Sequence, residues 1–135
     1  MKIETTSIFT REIVNENLNK LYIFGENQKQ QGSCVIGGGQ AIIRGLPNTY
    51  GLWTLSAIGE YWTDDLFLLN VNQINSDIVN IANLDFPTVV FPANGLGTGR
   101  AKLHVKAPKT FLYLCEKLLF YFEFNNLSQM QVKQF

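Results

Sequence analysis

The chain has 135 residues, the size of a single domain, and balances 11 Lys and Arg against 11 Asp and Glu. This balance excludes a whole-molecule field that would attract DNA, RNA or anionic lipid, so we expect neither a nucleic acid nor a membrane as partner. The 46% of hydrophobic residues excludes a disordered tail and suffices for a core.

The two cysteines, Cys34 and Cys115, are far apart and lack a CxxC spacing, which argues against a zinc ribbon or a disulfide scaffold. The first residues show no apolar core behind basic residues, and no window reaches the roughly 20 apolar residues that span a bilayer. We therefore expect reduced thiols and a cytoplasmic protein.

The first clear element is a continuous β-prone run at residues 21–24 that stops at Gly25, as in a strand buried on both faces. A loop rich in Gln and Gly follows. Residues 37–39, all glycine, then lead into a short helix at 40–44, and another strand is expected around 52–55.

In the second half, Thr63, Asp64 and Asp65 have the composition of a helix N-terminus. Helical spacing of apolar residues extends this helix to about residue 83; these residues are Ile74, Ile78, Ile81 and Ala82. Residues 88–91 form a second buried strand, closed by Pro92.

Pro108 suits the first turn of a last, amphipathic helix at about 107–122, and the tail after Asn125 is expected to be loosely ordered or to add an edge strand. Strands alternating with helices predict an α/β fold, a single three-layer domain over residues 1–135 with a mostly parallel central sheet.

Both buried strands end in loops where glycine is concentrated, and ligands of open α/β sheets bind beyond the carboxyl ends of the strands. Glycine lets a ligand approach closely, and the backbone amides of such loops can form an anion-binding nest. We therefore predict one phosphate-binding site across both loops; the alternative is that the glycines only make turns. The predicted ligand-binding residues are Gly25, Glu26, Asn27, Gly37, Gly38, Gly39, Gln40, Gly95, Leu96, Gly97, Thr98, Gly99 and Arg100.

Several established chemistries do not fit these loops. Residues 95–99 are not GxGxxG, and no Gly-Lys-Ser/Thr follows either loop, which argues against a Walker-type NTPase. His104 lacks the His or Cys partners of a metal site and the GxSxG serine of a hydrolase. We expect no metal and no cofactor.

Three segments carry a family resemblance. Residues 24–27 (FGEN), residues 37–42 (GGGQAI) with Pro47-Asn48, and residues 90–99 (VFPANGLGTG) with Ala107-Pro108 resemble a group of small uncharacterised proteins of bacteriophages and bacteria. More distantly, an Asn followed by GGG-x-A-I and a later PxxGxGxG is similar to the macrodomain pattern.

The macrodomain resemblance implies an ADP-ribose-type or related phosphorylated nucleotide as ligand. It would place Asn27 near the distal ribose, Gly38, Gly39 and Ala41 in the wall of the first loop, and residues 95–99 around the diphosphate. Two features depart from the pattern: the spacing from Asn27 to Gly37 is long, and no acidic residue for the adenine amine can be identified.

The expected function is sequestration of this nucleotide, in a phage as counter-defence in the host cytoplasm. The alternatives are an ADP-ribosyl hydrolase, with Asn27 and Glu26 as catalytic candidates, and a protein-interaction domain without a small ligand. The sequence leaves open whether the protein forms a homo-oligomer.

Other side chains have a functional and a structural interpretation. Arg44 and Arg100 are each placed to donate to phosphate or to face solvent. Aromatic residues at 50, 53, 61 and 62 would either stack on a base or fill the core. Asp64 and Asp65, adjacent at a helix start, are expected to cap amides rather than act in catalysis.

Overall fold

A computed structural model of the chain describes residues 1–127. The strands are β1 (Lys2–Thr6), β2 (Lys20–Asn27), β3 (Thr49–Leu55) and β4 (Thr88–Pro92). The α-helices are α1 (Arg11–Glu16), α2 (Phe67–Asn83), α3 (Leu103–Lys106) and α4 (Pro108–Phe122), and short 3₁₀ helices occupy Gly39–Ile43 and Asp64–Leu66.

Within residues 1–127 the strands form one sheet in the order β1-β4-β2-β3, and every pair is parallel. The predicted α/β fold with a parallel central sheet is confirmed. The two strands that the sequence marks as buried, β2 and β4, are the central ones. They pair directly, with Leu21 opposite Val89, so the loops that follow them leave the sheet side by side.

The two faces of the sheet are covered by different helices, which gives the three layers. Alternate strand residues such as Ile23 and Phe91 pack against α2 and α4 in the larger core. Their neighbours along the strands, Tyr22, Phe24 and Val90, pack against α1 and the 3₁₀ helix Gly39–Ile43. Because these last two elements are short, this second face is only partly covered.

The predicted elements differ from the structure at several places, one of which is β3, expected around residues 52–55 but beginning at Thr49. β2 does not stop at Gly25 but continues through Glu26 and Asn27, because the charge of Glu26 is paired inside the protein. The sequence does not predict β1, α1 or α3, since β1 is a half-exposed polar edge strand and the two helices are only six and four residues long.

Helices α2 and α4 lie close to the predicted positions, and Ile74, Ile78 and Ile81 are buried as expected, whereas Ala82 is exposed. No helix in the described part of the chain is long and apolar enough to cross a membrane. In the predicted tail, Asn126 is fully buried, and the positions from 128 onward lie outside the described residues.

Candidate functional site

The two glycine loops, residues 28–39 and 93–102, lie against each other. Gln40 connects them: its side-chain oxygen accepts a hydrogen bond from the Gly25 amide at 2.9 Å, and its nitrogen donates to the Gly95 carbonyl at 3.1 Å. The end of β2 and the loop after β4 are thus fixed by one side chain. The structure therefore brings the two predicted loops together at one place.

Arg100 lies at the junction of the loops. A Cβ atom built on Gly38 would lie 3.2 Å from both terminal nitrogens of Arg100, so the guanidinium rests on the backbone of the first loop. Arg100 is exposed and forms no ion pair within residues 1–127. The junction therefore presents a cation whose charge is not neutralised by a described carboxylate.

The second loop divides into a buried half and an open half. In the buried half, the Gly95 amide donates to the Pro92 carbonyl, and Leu96 is fully buried with both backbone polar groups bonded to the Asn126 side chain. In the second half, which is exposed at Gly99 and Arg100 but still buried at Gly97, the amides of residues 97–101 donate no hydrogen bond to any described residue. The predicted anion nest is thus restricted to the part from Gly97 onward, while Leu96 anchors the loop in the core.

Two glycines of the junction face open space. A Cβ atom on Gly39 or Gly99 would meet no atom within 4 Å. Gly97 is different, because its φ of +79° and a virtual Cβ 3.0 Å from the Cβ of Leu103 require glycine for the fold itself. Thr98 donates its hydroxyl to the Asn94 carbonyl at 2.6 Å. Gly99 is therefore the position where side-chain size can be changed without disturbing the loop.

Glu26 and Arg44 form a buried ion pair. The side chain of Glu26 is 1% exposed and that of Arg44 is 6% exposed. The Nε and Nη2 atoms of Arg44 donate to the two carboxylate oxygens of Glu26, and its Nη1 atom donates to the Val35 carbonyl at 2.8 Å. The sequence offers Arg44 as a phosphate donor, but in the structure its guanidinium binds Glu26 and Val35 inside the protein. Of the two candidate arginines, Arg100 is the one that lies at the junction of the loops.

Asn27 follows Glu26 at the end of β2 and is 8% exposed. Its side-chain oxygen accepts a hydrogen bond from the Gln30 amide at 3.0 Å, and its own amide donates to the Glu26 carboxylate at 2.9 Å. Both catalytic candidates therefore serve the turn that starts the first loop. The nitrogen of the Asn27 side chain donates no hydrogen bond within residues 1–127.

Several remaining candidates have structural partners, whereas the buried Nε1 atom of Trp53 and Nδ1 atom of His104 have no hydrogen-bond partner within residues 1–127. Tyr50 donates its hydroxyl to Asp77 on α2 at 2.7 Å, and Trp62 is buried with its indole nitrogen 3.4 Å from Gln28. Asp64 accepts hydrogen bonds from the amides of Lys109 and Thr110, so it caps α4 rather than its own helix. The ring of His104 lies 5.8 Å from that of Phe111.

A cavity of about 320 Å³ beside the first loop was not found by sequence reasoning. It lies between residues 31–34, residues 44–46 and the start of β3, and the buried pair Glu26–Arg44 lines it. Its walls come from segments far apart in the chain, and its glycines, Gly32, Gly45 and Gly51, belong to no recognisable motif. No local sequence signal marks it.

The chain belongs to the family of unknown function DUF7831, whose model matches residues 4–117. The matched range contains both glycine loops and the cavity. A search of the curated proteins and a search of the solved structures each found no match. The family assignment agrees with the predicted resemblance to a group of small proteins, and it contains no link to macrodomains.

Proposed function

We propose that the protein binds a phosphorylated nucleotide, of the ADP-ribose type, at the junction of its two glycine loops. The single observation that carries the proposal is the position of Arg100, an exposed guanidinium resting on Gly38 with no described carboxylate beside it. A guanidinium can donate two parallel hydrogen bonds to one phosphate group, so a single exposed arginine is enough to position a phosphate at this site.

The backbone around Arg100 supports an anion as the ligand. The amides of residues 97–101 have no acceptor among the described residues, and successive amides in a glycine-rich turn form concave sites for phosphate oxygens. Since the formal net charge of the whole chain is zero, the attraction must be local. A diphosphate would engage the guanidinium and the amide row together.

The ADP-ribose type rests on the resemblance of the loops to the macrodomain pattern, in which the second loop surrounds the diphosphate. Sequestration is favoured over hydrolysis because both carboxylate oxygens of Glu26 are held by Arg44. A general base must reach the proton that it removes, and this carboxylate is 1% exposed and already accepts three hydrogen bonds, from Arg44 and the Asn27 amide. In a phage, such sequestration would remove a nucleotide signal of host defence.

Binding is tested by thermal unfolding and calorimetric titration with ADP-ribose. A ligand that binds only the native state of the protein raises the protein's melting temperature as the ligand concentration rises above Kd. We expect this shift in the parent protein, and we expect Arg100→Gln to weaken binding by at least tenfold. Lys117→Gln, which removes the same charge from α4, is the control and should bind like the parent.

Gly99→Val tests the same site by steric blocking, without changing its charge. A Cβ atom at this position meets no protein atom within 4 Å, and the valine methyl groups would occupy the open side of the nest, so we expect the variant to fold normally and lose the ligand. If ADP-ribose leaves the melting temperature of the parent unchanged, or if both variants bind normally, the proposed function is wrong and the interaction-domain alternative gains.

Sequestration and hydrolysis differ in what becomes of the ligand. A sequestering protein releases intact nucleotide on denaturation, in a ratio of one per chain or less. Chromatography of ADP-ribose and of an ADP-ribosylated peptide after long incubation would reveal turnover. Multiple turnovers that disappear in Asn27→Ala, at unchanged affinity, would establish the hydrolase instead.

A further inference from the structure

We propose that the cavity beside the first loop binds an uncharged planar ring with hydrogen-bonding edges, that is, a nucleobase. This inference rests on the proposed function, because it assigns the cavity to the half of the nucleotide that the phosphate junction does not hold. The volume of about 320 Å³ lies within the range of small-molecule sites, which starts at roughly 300 Å³.

Two residues that line the cavity are glycines whose backbone is packed tightly against other lining residues. A Cβ atom on Gly51 would lie 2.7 Å from the Cβ of Glu26 and 3.0 Å from the ring of Phe24, and one on Gly45 would lie 3.2 Å from the Cα of Cys34. Gly45 also has a φ of +89°, which favours glycine. Neither glycine projects a side chain into the cavity, and the lining also includes Phe24, whose aromatic ring is a surface on which a planar group can stack.

The polar groups that Arg44 presents at the cavity favour a ligand with hydrogen-bond acceptors. A guanidinium has five N–H groups, and Arg44 uses three of them on Glu26 and Val35. The other two have no acceptor within residues 1–127, although the residue is only 5% exposed. A ring nitrogen or carbonyl oxygen of a base would satisfy them, whereas a hydrocarbon would not.

The charge of the pair argues against an ionic occupant. Glu26 neutralises Arg44, so an anion or a cation entering the cavity would lose its hydration without gaining a counterion. A neutral ring with polar edges loses less and gains the unused N–H groups. This is the chemistry of a nucleobase and not of a free phosphate or a carboxylate.

The cavity and the phosphate junction lie on either side of one dipeptide. A Cβ on Gly37 would lie 3.1 Å from the Nη1 atom of Arg44, which lines the cavity, whereas a Cβ on the next residue, Gly38, would lie 3.2 Å from Arg100. Neighbouring Cα atoms are about 3.8 Å apart. The two sites are therefore close enough to hold two parts of one nucleotide.

Cys34 provides a direct test, because this exposed thiol lines the cavity while Cys115 is buried. The rate at which Ellman's reagent modifies Cys34 is measured with adenosine, guanosine, cytidine or uridine, with ADP-ribose, and with ribose 5-phosphate or pyrophosphate. We expect ADP-ribose and at least one of the nucleosides, each at millimolar concentration, to slow the modification at least fivefold. Ribose 5-phosphate and pyrophosphate should leave the rate unchanged.

Two variants separate this inference from the proposed function. Protection by the nucleoside should persist in Arg100→Gln, since that variant changes only the phosphate junction. Parent protein carrying N-ethylmaleimide on Cys34 should bind ADP-ribose at least tenfold more weakly than the untreated parent, whereas treatment of Cys34→Ser with the same reagent should leave that variant's own affinity unchanged.

The outcomes are distinguishable. If ADP-ribose binds through Arg100 but neither it nor any nucleoside slows the modification of Cys34, the cavity inference is overturned and the proposed function stands. If a nucleoside protects Cys34 while no phosphorylated ligand depends on Arg100, the inference stands and the proposed function fails. Absence of protection by every nucleoside and nucleotide overturns the inference.

Discussion

The Asp64 carboxylate accepts hydrogen bonds from both the backbone amide and the hydroxyl of Thr110, each at 2.9 Å. Thr110 lies in the first turn of α4, whose N-cap residue has no side-chain cap of its own. A residue from the turn before α2 therefore caps a helix 46 positions later. Burial alone would raise the pKa of Asp64, but the hydrogen bonds from Lys109 and Thr110 outweigh it and lower the pKa below its ordinary value.

Replacing Asp64 should weaken the start of α4. Asp64→Ala removes the acceptor of two helix amides, and loss of a cap costs about 0.5–2 kcal/mol. Asp65→Ala is the matched control, because Asp65 is exposed and accepts no hydrogen bond in the described part of the chain. Urea denaturation of both variants measures the difference. Equal stability of the two variants would contradict the capping role.

Asp77 is shifted in the opposite direction to Asp64. Burial raises the pKa of Asp77 to about 6, although hydrogen bonds from the Trp53 amide, Tyr50 and Gln73 act to lower it. The folded protein holds the Asp77 proton more tightly than the unfolded chain does. The contribution of this group therefore favours folding at acid pH and declines as pH rises from about 4 to about 6.

Asp77→Asn should remove this component of the pH dependence. Since one pKa unit corresponds to about 1.4 kcal/mol, the stability of the variant relative to the parent should rise by on the order of 2–3 kcal/mol between pH 4 and pH 7. The other carboxyl groups titrate in both proteins and cancel in the comparison. Denaturant midpoints across this range measure the difference, and parallel pH profiles would show that Asp77 titrates normally.

A third prediction concerns Gly51, a glycine inside strand β3. Its Cβ position is 2.7 Å from the Cβ of Glu26, too close for any side chain, so Gly51→Ala should cost about 1–3 kcal/mol through overpacking. Gly25→Ala in β2 is the control. There the added methyl would meet its nearest atom, the Gln40 side-chain oxygen, at an ordinary 3.6 Å. A Gly51→Ala protein as stable as Gly25→Ala would contradict this account of the edge strand.

The sequence predicts those elements whose signals are local. The uninterrupted apolar runs of β2 and β4, the helical spacing of α2 and Pro108 at the start of α4 each indicate their element without reference to the rest of the chain. β1 could not be predicted, because Lys2 and Glu4 make it polar and its pairing with β4 spans more than 80 positions.

The candidate site is predicted in location but not in detail. Strand order places the two loops together, whereas the side chains that fix them, Gln40 and Asn126, act through pairings 55 and 30 positions apart. No sequence pattern reveals that Asn126 occupies the polar groups of Leu96. The same holds for the cavity, since only the fold brings Cys34, Gly45 and Gly51 around the Glu26–Arg44 pair.

That ion pair yields the last prediction, which decides whether Glu26 is available for proton transfer. Removing one member of a buried pair leaves the other charge without a partner and typically costs about 3–5 kcal/mol. We therefore expect Glu26→Gln and Arg44→Met each to be strongly destabilised.

The double variant should lose much less than the sum of the two single losses, because neither buried charge is left unpaired. Denaturation of all four proteins closes the cycle and gives the coupling energy. Strictly additive losses, or a Glu26→Gln protein as stable as the parent, would mean that the carboxylate does not need Arg44 in the folded state. Glu26 would then regain a place among the candidates for acid–base chemistry, whereas a large coupling commits it to holding the first loop and the cavity in place.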